Sequence, residues 1–371
     1  MTANLRHAAG RLLVVGLSGT QLTGLERAWL RLLQPAGIIL FRRNIADARQ
    51  TRALLAEATS PCAAHALRCV DLEGGTVDRL RDALARMPSA QAVAQAAAST
   101  GKRALSKQHG QLVARAIKAF GFNTPLAPVL DLGLPASAAV MGTRTASATA
   151  DGVVEYAREF LAGLSEQGVV GCGKHFPGLG CGALDSHQET PSISRGWREL
   201  WMNDLVPYRE LRERLPMVMV NHAVYPDTKE KSCPASVSRY WVTSVLRKRI
   251  GYRGLIFSDD LEMGGILNFM PVEEAVIAAL RAGMDLLEIC HSPDLILRAY
   301  EAIVSEAERS AAFRRLILDR ANRTERTRAR LFASGPAAPL SASQFEALRA
   351  RILRFSDTIR ASQPSKETQS A

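Results

Sequence analysis

A single (β/α)8 barrel is the fold this sequence predicts, and three observations point to it. Eight short apolar runs recur along the chain. Longer segments with helical spacing separate them. Polar residues gather at the C-terminal ends of the runs, where a TIM barrel carries its functional groups. A doubly wound open sheet is the competing arrangement, but no G-x-G-x-x-G follows the first run.

The runs are RLLVVGL at 11–17, AGIILF at 36–41, LRCVDLE at 67–73 and TPLAPVLDL at 124–132. VVGCGKHF at 169–176, PMVMVNHAV at 216–224, GLIFSDD at 254–260 and GMDLLEIC at 283–290 complete the set. Several are almost continuous in hydrophobicity, as parallel strands covered on both faces must be. The intervening segments, such as QLTGLERAWLRLLQ and TADGVVEYAREFLAGLSEQ, repeat apolar residues at helical spacing. Gly or Pro often follows the helix and precedes the next strand, as in QPAG, EQG, RLP and RAG.

The barrel is expected to occupy residues 1–335. Beyond it the composition turns to Ala, Ser and Pro. There SQFEALRARILRF predicts a short amphipathic helix, and ASQPSKETQSA predicts a disordered tail. Residues 336–371 are therefore a short helical extension and tail, too small for a second domain.

At 371 residues and 47% hydrophobic, the chain can bury one large core. No run of about 18 apolar residues occurs, so no membrane span is expected. LLVVGL is too short for an export signal, which makes the cytoplasm the expected location. The six cysteines form no C-x-x-C pair and are expected to be reduced. The spacing of Cys172 and Cys181 fits no usual zinc pattern, so neither a metal nor a cofactor is expected. The net charge of +11 raises the question of nucleic acid. However, FRRLILDRANRTERTRARLF supplies a share of the excess, with acids interleaved at helical spacing, and reads as a solvated helix face. No nucleic-acid partner is expected. A milder reading is that the charge favours anionic substrates.

The strand ends carry Asp71 and Glu73, Asp131, Lys174 and His175, Asn221 and His222, and Ser258, Asp259 and Asp260. A charged group at the end of an apolar strand is costly unless paired or functional. Glu73 is expected to support its loop rather than react. Asn221 and His222 fit either a pocket wall or barrel-mouth hydrogen bonds. Asp259 fits either chemistry or the cap of the next helix. The segment GKHFPGLGCGALDSHQETP, 173–191, places Asp185 two residues before His187. A carboxylate that close can orient an imidazole and raise its pKa, giving a general acid/base on a loop. The bland alternative is a turn-capping Asp beside a surface His.

VDLEGGTVDRL, KHFPGLGCGALDSH and IFSDDLEM, in this order and spacing, resemble the NagZ-type β-N-acetylglucosaminidase branch of glycoside hydrolase family 3. The resemblance covers roughly 11–300. It implies a lone TIM barrel and a retaining mechanism, with Asp259 as nucleophile, His187 as acid/base and Asp185 as its partner. It also implies sugar binding by Asp71, Arg79, Arg144, Lys174 and His175. Three positions depart from the family's pattern. Leu179 replaces a second His, Thr76 stands where an Arg is frequent, and Thr145 follows Arg144 in place of an aromatic.

The expected function is hydrolysis of terminal N-acetylglucosamine from peptidoglycan fragments during cell-wall recycling, by a monomer acting on a small carbohydrate. Lys174 and Arg144 are expected to keep Asp259 ionised. Two other readings stay open at the level of sequence. One is a Schiff-base aldolase using Lys174, and the other is a catalytically silent sugar-binding barrel. Within the hydrolase reading, phosphate could replace water as acceptor, because a histidine acid/base carries no fixed negative charge.

Overall fold

The computed structural model describes residues 2–62, 65–181, 190–333 and 335–363. Eight parallel strands form its centre: β1 (Leu13–Val15), β2 (Gly37–Leu40), β3 (Leu67–Val70), β4 (Thr124–Pro125), β5 (Cys172–Phe176), β6 (Met217–Val220), β7 (Leu255–Asp260) and β8 (Leu286–Ile289). Their order around the sheet is β4-β3-β2-β1-β8-β7-β6-β5. The two ends meet through a parallel bridge between Val129 and Lys174. Beside it the Cys172 amide donates to the Ala127 carbonyl at 2.8 Å, and the Leu130 amide to the Lys174 carbonyl at 2.6 Å. The result is a nearly closed (β/α)8 barrel, and each of the eight apolar runs supplies one strand.

The strands are shorter than the runs that predict them. β4 is only two residues, because Pro125 and Pro128 have no amide to give to a ladder. A feature the sequence did not suggest is a small antiparallel hairpin, Leu72–Gly74 with Val77–Asp78, built on the end of β3. Gly74 has φ +92, and a Cβ there would lie 2.1 Å from the Pro88 carbonyl oxygen. Only glycine fits that turn.

Alternation along the strands sorts side chains into two cores. Leu67 and Cys69 of β3, Cys172 of β5, Leu255 and Phe257 of β7 and Leu286 of β8 fill the barrel interior. Val70, Val218, Val220, Ile256, Leu287 and Ile289 face outward against the helices. A two-residue step along each inner face decides what reaches the mouth.

Thr2–Gly10 forms an N-terminal helix that the polar start of the chain did not suggest. At the other end the helical extension is longer than SQFEALRARILRF indicates. It spans Ala342–Ala361, with Ser341 and Gln344 forming a capping box. It buries Leu348, Ile352, Phe355 and Ile359, and Phe345 and Phe355 meet Phe120 and His109 on the helix Ala104–Ala119. The expected tail from residue 364 lies outside the described residues. All six cysteines are free thiols, and no described helix is long and apolar enough to cross a membrane.

Candidate active site

Moving two residues along each inner face converts the apolar core into a charged layer. Leu67 and Cys69 lead to Asp71, and Cys172 leads to Lys174. Leu255 and Phe257 lead to Asp259, and Leu286 leads to Glu288. All four border one pocket at the C-terminal mouth, with about 790 Å3 of free space including the part open to solvent. Both Asp259 and Asp260 border it, and the register of β7 against β8 shifts between Leu286 and Glu288, so that Asp260 pairs with Glu288. Asp260 sits beside Glu262 and His291. Its Oδ1 accepts from the Glu262 amide at 3.0 Å, and its Oδ2 lies 3.6 Å from His291 Nε2.

The expected sugar-binding residues are assembled into one ion-pair network. Lys174 Nζ lies 2.9 Å from Asp71 Oδ1 and 2.6 Å from Glu73 Oε1. Arg144 grips Glu73 through two bonds of 2.8 and 2.9 Å. Arg79 donates to Asp71 Oδ2 at 3.3 Å. The two-pronged grip fixes the guanidinium plane as well as its position. Glu73 supports the site as the sequence suggested, and the hairpin holds it there.

His175 is oriented from both sides. Its Nδ1 lies 2.6 Å from Asp131 Oδ2, and its Nε2 lies 3.3 Å from Arg144. An arginine only donates, so Nε2 is the accepting nitrogen and Nδ1 carries the proton toward Asp131. The register of β5 against β6 shifts between Gly173 and Phe176, and both Lys174 and His175 border the pocket despite being adjacent. Asp131 Oδ1 also accepts from the Leu179 amide at 2.7 Å, which ties the start of the following loop to β4.

Asn221 and His222 brace the mouth from outside the pocket. Asn221 donates to the His175 carbonyl at 3.0 Å and to the Tyr225 hydroxyl at 2.9 Å, and accepts from the Ala223 amide at 2.8 Å. His222 bonds the Ser236 hydroxyl at 2.7 Å and the Asp260 carbonyl at 3.0 Å. Of their two sequence readings, the structure favours barrel-mouth hydrogen bonding.

Burial alone would raise the Asp71 carboxyl. Lys174, and then Arg79, outweigh it and hold the group well below the usual carboxylate range. Burial likewise opposes ionisation of Glu73, yet Arg144 and Lys174 bring it down to about 2. The Lys174 ammonium is disfavoured by burial, but Asp71 and Glu73 push it above its ordinary value. Burial, followed by Glu262, lifts Asp260 to about 7.

One expectation needs correction. Lys174 and Arg144 were to keep Asp259 ionised, but Asp71 and Glu73 occupy both cations. Among the described residues no lysine or arginine forms an ion pair with Asp259. Its Oδ1 accepts from the Asp260 amide at 3.0 Å. The other two catalytic candidates, Asp185 and His187, lie outside the described residues, as does most of their loop.

Sequence reasoning missed two residues that border the pocket, Glu288 and His291. Glu288 was hidden inside the apolar run GMDLLEIC. The signal that finds it is its two-residue offset from Leu286 and Cys290, which places a carboxyl on an inward face. Asp260, Cys290 and His291 are also the one group of candidate metal ligands among the described residues, within 4.8 Å of one another. However, Arg43 donates to His291 Nδ1 at 2.8 Å. That bond leaves the imidazole proton on Nε2 and sets a fixed cation beside the group, so the residues do not fit a divalent ion.

The geometry described so far, carboxylates and cations converging at the strand ends of a barrel, is that of a glycoside hydrolase site. Residues 5–325 match the family model "Glycosyl hydrolase family 3 N terminal domain". The chain belongs to glycosyl hydrolase family 3. It is 39% identical over 293 residues to a beta-hexosaminidase of Alkalilimnicola ehrlichii, covering 76% of this chain and 82% of that one. It resembles the native NagZ structure of Neisseria gonorrhoeae with TM-score 0.74 and 30% identity, covering 95% of this chain and 98% of that one. A family 3 beta-N-acetylglucosaminidase from a Paenibacillus species gives TM-score 0.82 at 29% identity, covering 95% of this chain and 68% of that one.

Proposed function

We propose that this protein is a retaining β-N-acetylhexosaminidase that releases terminal, non-reducing N-acetylglucosamine. Its natural substrates are peptidoglycan fragments of the N-acetylglucosaminyl-1,6-anhydro-N-acetylmuramoyl type, consumed in cell-wall recycling in the cytoplasm. The protein acts as a monomer, with no metal or cofactor. The names of the relatives support the activity, and the observation that supports the mechanism is that Asp259 borders the same pocket as Asp71 and Lys174.

Hydrolysis passes through an oxocarbenium-like transition state, which needs a carboxylate beneath the anomeric carbon and a proton donor beside the leaving oxygen. Asp259 is the nucleophile, held on the rigid end of β7. His187, partnered by Asp185, protonates the leaving oxygen. It then takes a proton from the water that cleaves the glycosyl-Asp259 ester. Asp71 has its two oxygens held by Lys174 and Arg79, and offers its remaining lone pairs to sugar hydroxyls. Arg144, His175 and Lys174 complete the binding wall.

The Schiff-base alternative requires a neutral amine at Lys174. Two carboxylates bond that ammonium and favour its charged form, which is the opposite of what an imine-forming lysine needs. The test is release of a chromogenic phenol from its N-acetylglucosaminide, with an N-acetylgalactosaminide and a glucoside as controls. The Asp259→Ala variant should have no measurable turnover, and slow turnover in His187→Ala should allow a sugar adduct to be found on the peptide containing Asp259. Wild-type rates in Asp259→Ala would end the assignment. A folded wild type that binds the sugar without releasing phenol would favour a silent barrel. A sugar phosphate formed in phosphate buffer would make the enzyme a phosphorylase.

A further inference from the structure

Among the described residues, Glu288 is the one carboxyl of the inner layer with neither a cation partner nor an assigned role. It is only 2% exposed. Its amide donates to the Ser258 hydroxyl at 3.0 Å, and its carbonyl accepts from the Leu261 amide at 2.9 Å, so it is fixed to the segment that carries Asp259. Its Oε1 accepts from the Cys290 thiol at 3.2 Å, and its Oε2 is buried with no partner among the described residues.

The groups facing it come from several strands. They are Cys69 of β3 and Asp71 just beyond it, Cys172 of β5, Asp259 and Asp260 of β7, and Cys290 just beyond β8. Its partner in register on β1 is the apolar Val14. Lys174 is shared by Asp71 and Glu73, Arg79 is held by Asp71, and Arg144 by Glu73. Asp259 and Glu288 therefore border one pocket, and among the described residues neither has a cation partner. Two such carboxyls do not both ionise readily. The more buried one keeps a proton, and burial, followed by Asp260, Asp71 and Asp259, drives Glu288 well above the usual carboxylate range.

We propose that Glu288 is a positioning residue that carries the proton of this layer, limits its floor to one uncompensated negative charge, and thereby lets Asp259 depart as a carboxylate in the second step. The inference rests on Asp259 as the nucleophile. In the first step the Asp259 oxygen bonds the anomeric carbon and its charge is consumed. In the second, water attacks that carbon and its proton passes to His187. The carbon–oxygen bond breaks with its electron pair returning to Asp259. A neutral Glu288 tolerates the returning charge, whereas an ionised Glu288 opposes it.

The sign gives the test. With a dinitrophenyl glycoside, whose leaving group needs no proton, the second step limits turnover. Loss of the His187 proton leaves it able to take one from water, which favours that step as pH rises, so an alkaline fall in kcat must come from another group. The wild type should lose roughly tenfold or more in kcat at the alkaline end, with a burst of phenolate approaching one per chain. Glu288→Gln keeps a neutral group of the same shape, and should hold its kcat level into the alkaline range. Glu288→Leu should melt at a higher temperature because an unpartnered polar atom is removed, and should also lack the alkaline fall. Infrared difference spectra give a readout independent of activity. A protonated carboxyl stretch should be present in the wild type at neutral pH and absent from Glu288→Gln. The same alkaline fall in Glu288→Gln, or no such stretch in the wild type, would overturn the proposal. A wild type with the stretch but no hydrolysis would instead count against the nucleophile on which the role depends.

Discussion

Lys174 Nζ lies 2.9 Å from Asp71 Oδ1, with both side chains nearly withdrawn from water. The contact means that Lys174 serves the site as a cation and not as a nucleophile. Borohydride with a carbonyl compound should leave Lys174 unmodified, as read by peptide mass mapping. Lys174→Met takes from Asp71 and Glu73 the cation they share, leaving each with one arginine, and should cost up to about 3 kcal/mol of stability in denaturant unfolding. A stable adduct on Lys174 would return the aldolase reading to first place.

His187 should matter in proportion to the leaving group. General acid catalysis typically contributes about 10²–10⁴-fold. His187→Ala should lose that much in kcat/KM on a poorly acidic leaving group and far less on a dinitrophenolate. Equal losses on both would mean that His187 binds or orders the loop without transferring a proton.

Glu73 supplies a pH signature of stability. Its carboxyl is brought from 4.5 down to about 2 in the folded protein. A depressed value stabilises the fold above the unfolded pKa, and the benefit is lost as pH falls through the folded one. The Glu73→Gln variant should therefore be less stable than wild type at neutral pH, and the gap should narrow between about pH 4.5 and 2. Thermal melts across that window read the difference. Parallel curves would show that Arg144 and Lys174 contribute nothing through Glu73.

Asn221 makes three buried hydrogen bonds, to His175, Tyr225 and Ala223. Asn221→Ala leaves those partners unsatisfied and should lower stability by roughly 1–3 kcal/mol. Because one of the bonds holds the backbone beside the pocket, kcat/KM should fall as well, while Asp259 stays untouched. Calorimetry and steady-state rates on the same preparation separate the two effects.

Much of this was legible before the fold was known, for identifiable reasons. Eight apolar runs separated by helices have few ways to close, and their polar ends announced Asp71, Asp131, Lys174, His175 and Asp259. The hairpin holding Glu73 was not legible, because its two- and three-residue strands have no periodicity to read. Nor was the partnering of charges. Sequence set Lys174 and Arg144 beside Asp259, but the distances give both to Asp71 and Glu73. Glu288 escaped notice because a lone carboxyl in an apolar run says nothing until alternation shows which way it points. The C-terminal helix was read as shorter than it is. Its apolar residues are spread along one stripe of a basic segment, and the helices that receive them lie more than two hundred residues earlier.

The ion-pair network at the mouth also separates the charge of the molecule from the charge a ligand meets. The chain as a whole carries +11, yet each cation of the network already faces a carboxylate, and Asp259 has no ion-pair partner among the described residues. A neutral sugar should enter this chamber as readily in brine as in dilute buffer, while a strongly anionic inhibitor gains little from the surplus arginines outside.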